Sequence, residues 1–140
     1  MSERTAVTFR AAQPKDGEAV HALLAPFVEA QLLLHRELEE LRRLTKHAFV
    51  AWHSDQLIGF AAVEIYSAKL AEIQCLAVDA SFQRQGVGRA LIQRCIDRAR
   101  EENVLELMAI TASEDVLRDC GFDYSLPNQK RAMFIRTRES

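Results

Sequence analysis

Apolar positions change their period several times along this chain, and each change predicts an element. Thr5–Arg10 alternates weakly and predicts a first strand. Pro14, Lys15 and Asp16 predict a turn and a helix start. Val20, Leu23, Leu24, Phe27 and Val28 then recur at helical spacing, and Pro26 is expected to end or kink that helix. Leu32-Leu33-Leu34 is an apolar patch ahead of a charged stretch. Glu37 to Lys46 repeats leucine at Leu38, Leu41 and Leu44, which predicts a second helix with Glu39, Glu40, Arg42 and Arg43 on its solvated face. Phe49 to Trp52 predicts a short strand, Ser54-Asp55-Gln56 a hairpin turn and Leu57 to Tyr66 a long strand. Ser67-Ala68-Lys69 turns the chain into Leu70 to Val78. A meander of this kind pairs antiparallel.

Beyond Val78 the pattern breaks into a polar, basic loop. Val87, Leu91, Cys95 and Ala99, with Ile92 and Ile96 beside them, then predict a helix to about Glu102. Leu105 to Ile110 predicts a strand returning parallel to its predecessor, which makes a right-handed βαβ unit. Ser113 is a predicted N-cap, Glu114 and Asp115 suit a first helical turn, and Gly121 is the stop. Phe122 to Tyr124 and Met133 to Thr137 predict a closing pair of strands. The order implies an α+β fold, a mixed and mostly antiparallel sheet flanked by helices, in a single domain over 1–140.

The chain concentrates its chemistry at the strand-to-helix junction Val78-Asp79-Ala80-Ser81-Phe82-Gln83-Arg84-Gln85-Gly86-Val87-Gly88-Arg89. Gly86 and Gly88 are two of five glycines, and glycine allows positive φ and close approach of a ligand to the backbone. A helix start offers unpaired N–H groups and the positive end of a macrodipole, which suits an anion such as phosphate. Gln83, Arg84, Gln85 and Arg89 add side-chain donors. A helix-capping loop with no ligand is the bland alternative. No Gly-Lys-Ser/Thr follows, so this is not a Walker loop, and Leu91 stands where a Rossmann fingerprint needs glycine or alanine.

The string from Gln83 to Leu91 resembles the acetyl-CoA pyrophosphate loop of the GCN5-related N-acetyltransferase (GNAT) superfamily, whose pattern Gln/Arg-x-x-Gly-x-Gly/Ala is matched at Gln83, Gly86 and Gly88. Leu32-Leu33-Leu34-His35-Arg36 with Leu38-Glu39-Glu40-Leu41, Ala71 to Val78, Leu107 to Thr111 ahead of Gly121-Phe122, and Leu126-Pro127 with Gln129-Lys130 further resemble the acetyltransferase domain of N-acetylglutamate synthases. The likeness covers nearly the whole chain but not the amino-acid kinase domain of the long synthases, so arginine feedback is not expected. It implies a sheet splayed at its central strands. There the backbone of Leu76, Ala77 and Val78 bonds the pantetheine arm like an added strand. It also implies Gln83 to Arg89 (Gln83, Arg84, Gln85, Gly86, Val87, Gly88, Arg89) as the pyrophosphate site.

Attack on a thioester needs a neutral amine, whereas free amines are mostly protonated at neutral pH. A base must therefore take a proton, and Glu72 matches the family's candidate. Glu64 on the neighbouring strand is its rival, and a pairing of Glu72 with Lys69 is the alternative without catalysis. Thr111 resembles the family's donor to the departing thiolate, with Tyr124 as an alternative acid. A backbone N–H near Leu76 would meet the oxyanion. Arg36 would bind a substrate carboxylate, with Lys130 and Arg131 behind it. The chain departs from the family at Val116 and Leu117, where an aromatic pair is common and where many acetyltransferases place a tyrosine acid. It departs again at Ala132, which replaces a hydroxyl, and at Lys130, which replaces an arginine. The resulting reading is an enzyme: an N-acetyltransferase passing the acetyl group of acetyl-CoA to a small acidic amino acid, glutamate first. The alternatives are another amine (a peptide or protein N-terminus, a lysine, a small metabolite) or a non-catalytic CoA-binding module.

Composition narrows this picture slightly. With 140 residues, 49% of them hydrophobic, the chain needs no disulfide or metal for a core, and no metal is expected. A net charge of −2 argues against nucleic acid, although basic residues cluster at Arg84–Arg89 and Lys130–Arg138. Cys75, Cys95 and Cys120 have no metal-ligand spacing and apolar surroundings, as expected of reduced thiols in a cytoplasmic protein. His21, His35, His47 and His53 share no ligand spacing and are expected to be structural or exposed. No membrane span and no secretory signal is expected. A homodimer through the C-terminal strands is left open.

Overall fold

The computed structural model describes residues 6–111, 114–126, 128 and 132–138. Its strands are β1 (Val7–Ala11), β2 (Ala48–His53), β3 (Gln56–Ile65), β4 (Leu70–Val78) and β5 (Glu106–Met108). Its helices are α1 (Gly17–Glu29), α2 (Leu38–Leu44), α3 (Val87–Glu101) and α4 (Asp115–Asp119), with short 3-10 turns at Pro14–Asp16, Thr45–His47 and Ala80–Phe82. The sheet runs in chain order from β1 to β5; the first three pairings are antiparallel and β4–β5 is parallel.

Helices cover both faces. Val20, Leu23 and Leu24 of α1 and Leu41 of α2 pack on Val50, Leu57, Phe60, Ala62, Cys75 and Ala77. Leu91, Ile92 and Cys95 of α3 and Leu117 of α4 pack on Ala51, Ile58, Ala61, Val63, Ala71 and Ile73. Burial of this apolar area on two faces is the main source of stability. Gly59 lets α3 come close: a Cβ there would stand 3.0 Å from Leu91 Cδ1 and 3.2 Å from Val87 Cγ1.

Three predicted boundaries change. Helix α1 runs through Pro26 to Glu29, because a proline in the last turn removes little pairing and its own carbonyl still accepts the Ala30 N–H at 3.0 Å. The second helix is shorter than expected: α2 ends at Leu44 and Thr45–His47 tightens into a 3-10 turn. The predicted strand Leu105–Ile110 pairs only over Glu106–Met108.

The predicted closing strands do not form. Neither Phe122–Tyr124 nor residues 132–137 join the sheet, and Met133, Phe134 and Ile135 are 93%, 81% and 86% exposed. A β-type run becomes a strand only with a neighbour to take its N–H and C=O groups. Helix α4 ends as predicted: Gly121 adopts φ +98°, and the Phe122 N–H reaches the Leu117 carbonyl at 3.0 Å. The predicted N-cap Ser113 lies outside the described residues.

Candidate active site

The junction after β4 is held by its own side chains. Asp79 accepts from the Ser81 N–H at 2.9 Å, Gln83 donates to the Val78 carbonyl at 2.9 Å, and Gln85 donates to the Ser81 carbonyl at 3.3 Å. Arg84 and Gly86 take left-handed conformations with φ +64° and +85°. Gly86 is the N-cap of α3, and no side chain caps that end. The amides of Val87, Gly88 and Arg89 therefore face outward at the positive end of a four-turn helix.

Gly88 differs from the expectation of a conformational role. It is helical, and a Cβ on it would meet only Val78 Cγ2, at 3.8 Å, an ordinary contact. The missing side chain leaves room in front of the strand end. Arg89 is less available than its position suggests, because its guanidinium bonds Asp119 of α4 at 2.9 Å.

Strands β4 and β5 part early. Their pairing covers Leu70 with Glu106, Ala71 with Leu107 and Glu72 with Met108, then stops. From Ile73 to Val78, β4 keeps β3 on one side and pairs with no strand on the other among the described residues, so the backbone groups that point outward form an edge without a strand partner, where the Val78 carbonyl is held by Gln83. At about 3.3 Å per residue that edge is roughly 20 Å long.

A bulge sits on the same stretch. Gln74 opposes Ala62 and Ala77 opposes Phe60, so Cys75 and Leu76 together face Ala61, and Cys75 has φ +59°. The bulge inverts the alternation. Ala71 and Ile73 point into the α3 layer, whereas Cys75 and Ala77 point into the α1–α2 layer. It also takes one backbone unit near Leu76 out of the β3 ladder.

Glu72 and Gln74 are on the α1–α2 face at the fork. The Tyr66 hydroxyl donates to Glu72 Oε1 at 2.6 Å, the Gln74 amide donates to the Tyr66 oxygen at 3.1 Å, and Arg36 donates to Gln74 Oε1. The partner of Glu72 is thus Tyr66 and not Lys69. Arg36 also lies 3.5 Å from Glu40, and its side chain is only 19% exposed. Glu64 stands directly across the ladder from Glu72. It lines a cavity of about 180 Å³ with Arg36, Glu40, Arg43, Lys46 and His47.

Thr111 is exposed just past β5. Tyr124 donates to Glu114 at 2.5 Å beneath the Arg118 guanidinium. Lys130 and Arg131 lie outside the described residues. His47 is half-buried, and its Nδ1 accepts from Arg98 at 3.1 Å. Desolvation, together with the charges of Arg98 and Lys46, holds its pKa below the ordinary value. His35 is exposed, 3.2 Å from Glu37. Cys75 and Cys95 are buried and Cys120 half-buried, all with free thiols. Among the described residues no cluster of His, Cys, Asp and Glu has metal-binding form, and no helix is long and apolar enough to cross a membrane.

Tyr66 and Gln74 escape a search for catalytic motifs. Their signal is local: Glu72-x-Gln74 puts polar residues two apart on β4, whose alternate positions are buried, and Glu64-x-Tyr66 follows the continuously buried run of β3. Arg36, distant in sequence, completes the face.

Comparison with known proteins agrees with this architecture. The sequence model of the acetyltransferase (GNAT) family matches residues 17–122. An uncharacterized N-acetyltransferase of Chlorobaculum tepidum is 30% identical over 113 residues, which cover 81% of this chain and 73% of that protein. An amino-acid acetyltransferase of Neisseria meningitidis is 33% identical over 108 residues, and the match covers 76% of this chain but only 25% of that longer protein. The N-acetylglutamate synthase of Neisseria gonorrhoeae, solved with coenzyme A and N-acetyl-glutamate, superposes with a TM-score of 0.73 at 30% identity, over 84% of this chain and 28% of its own. A Mycobacterium tuberculosis protein solved with CoA superposes with a TM-score of 0.75 at 25% identity, over 81% of this chain and 70% of its own.

Proposed function

This chain belongs to the acetyltransferase (GNAT) family, and from that premise we propose that it transfers the acetyl group of acetyl-CoA to the amine of a small acidic amino acid, with glutamate the first acceptor to test. The reading rests above all on the fork at Glu72. The helix start at Gly86–Arg89 suits the cofactor's pyrophosphate, and the free edge Leu76–Val78 suits the pantetheine amides. That track leads the thioester to the point where β4 and β5 part.

Arg36 supplies the preference for an acid. A guanidinium has five N–H donors; Arg36 gives one to Gln74 and pairs with Glu40 at 3.5 Å, so a substrate carboxylate would take the remaining donors in competition with Glu40. The Neisseria relatives, named for amino-acid and glutamate acetylation, support the same class of acceptor.

The chemistry is direct transfer. Glu72 accepts a proton from the acceptor's ammonium group. The nitrogen lone pair then attacks the thioester carbonyl and the C–N bond forms. The oxyanion meets the amide freed near Leu76 by the bulge. The C–S bond breaks as the carbonyl re-forms, the nitrogen sheds its second proton, and the CoA thiolate takes one up, with Thr111 the candidate relay that gives its hydroxyl proton and is re-protonated in turn. Burial pushes the Cys75 thiol up to about 11, so it stays protonated and is no covalent relay. Three free thiols also suit a reducing compartment, which we infer to be the cytoplasm.

A thiol-release assay with acetyl-CoA and a panel of amines tests the reading. Glutamate or aspartate should turn over faster than neutral amino acids. Turnover confined to peptides, polyamines or aminoglycosides would overturn the acidic acceptor. Loss of turnover in Glu72→Gln with CoA binding retained would exclude a module that only binds.

A further inference from the structure

The chain of hydrogen bonds across β4 runs in one direction only. Arg36 has donors and no acceptor, so the oxygen of the Gln74 amide must face it. The Gln74 NH2 group is then turned to the Tyr66 oxygen, 3.1 Å away. With that oxygen accepting, the Tyr66 hydroxyl sends its proton to Glu72 Oε1 at 2.6 Å. The opposite orientation would set two donors against each other at Arg36.

We propose that Tyr66 is a positioning residue for Glu72: its hydroxyl fixes one carboxylate oxygen and leaves Oε2 for the acceptor amine, and Gln74 imposes that direction from the charge on Arg36. The proposal rests on the reading of Glu72 as the base. Tyr66 does not itself carry the proton away. Its phenol is pushed up to about 12, first by desolvation and then by its bond to Glu72, so it stays protonated near neutral pH. The charged and titratable groups around Glu72 are Glu64 across the ladder on β3, Tyr66 at the end of β3, Lys69 in the following turn and Arg36 through Gln74. The β5 residue opposite, Met108, is uncharged.

A hydrogen bond given to one carboxylate oxygen fixes the orientation of the group. Without it, the carboxylate swings more freely and presents Oε2 to the acceptor less often. Tyr66→Phe should therefore lower kcat about tenfold. The acetyl-CoA KM should stay within about twofold, because nothing at the α3 start changes. Gln74→Leu should lower kcat by less, since Tyr66 keeps its proton and loses only its orientation.

The measurement is steady-state kinetics with whichever amine of the panel turns over best, with kcat and the acetyl-CoA KM read separately. Wild-type kcat in Tyr66→Phe, with Glu72→Gln inactive, would overturn the positioning role alone. Full activity in Glu72→Gln would overturn the base assignment and this proposal with it. Absence of turnover with every amine would overturn both. Because Tyr66 is 50% exposed, Tyr66→Phe should melt like the wild type.

Discussion

Glu64 and Glu72 face each other across the β3–β4 ladder, and Tyr66 bonds only the second of them. Directly opposite side chains have Cβ atoms about 5 Å apart, so two carboxylates there repel unless one is compensated. Tyr66 provides that compensation and separates the roles of the two acids. Glu72→Gln should lower kcat by about 100-fold or more, the usual scale for loss of a general base. Glu64→Gln should cost less than about tenfold and leave the protein at least as stable, since it relieves a like-charge pair. Turnover numbers and melting curves of the two variants check both halves.

Asp16, only 5% exposed, receives two 2.8 Å bonds from Arg10 and a 2.7 Å bond from the Gln13 N–H. Arg10 holds the Asp16 carboxyl below its ordinary pKa, against an opposing desolvation cost. A depressed carboxylate pKa stabilises the fold above the unfolded value, near 3.8, and the contribution is lost as pH falls through the folded value. Asp16→Asn should destabilise by about 1–2 kcal/mol at pH 7, at the lower end for charged bonds because Arg10 is 39% exposed. Urea melts of both proteins should converge as pH falls below 3.8 and through the lower folded value.

Gly86 and Gly88 should fail in different ways. At Gly86 the backbone has φ +85°, so Gly86→Ala strains the fold by about 1 kcal/mol even though no atom lies within 4 Å of the new Cβ. Gly88 is helical with room for a Cβ, so Gly88→Val should fold. It should instead raise the acetyl-CoA KM by about tenfold or more, because the side chain would fill the space proposed for the pyrophosphate. Thermal melts and acetyl-CoA titrations distinguish the two.

Arg98 can only donate, so its 3.1 Å contact requires His47 Nδ1 to be unprotonated. Desolvation, with Arg98 and Lys46, depresses the His47 pKa, while Glu102 opposes the shift. The stability this gives is present above the unfolded value of 6.5 and is lost as pH falls from there through the lower folded value. His47→Gln keeps an acceptor for Arg98 and removes the titration. Between about pH 7.5 and about pH 5.5 its melting temperature should therefore fall less than that of the wild type.

Much of this protein is local and was readable from one dimension. The apolar runs Phe49–Trp52 and Leu57–Val63, the alternation of Leu70–Val78 and the helical spacing of Val87, Leu91 and Cys95 place the elements, because burial acts on each strand and helix locally. The uncapped helix start proposed as the anion site could be read from Gln83, Gly86 and Gly88, since these lie within a few residues of one another. Failures came where a second segment had to be present. Met133 to Thr137 has strand composition but no ladder neighbour, and Leu105–Ile110 pairs for only three residues.

What the amino-acid order determined alone is the sequence of elements as far as α4, the loop and helix start proposed for the cofactor, and the candidacy of Glu72 and Arg36. Tertiary structure alone decided the bulge at Cys75, which inverts the faces of β4, and the meeting of Arg36, Gln74, Tyr66 and Glu72 on one of them. The reason is distance along the chain. Arg36 and Gln74 are 38 residues apart, and only packing of the segment before α2 on the sheet brings a donor with no acceptor of its own to that amide.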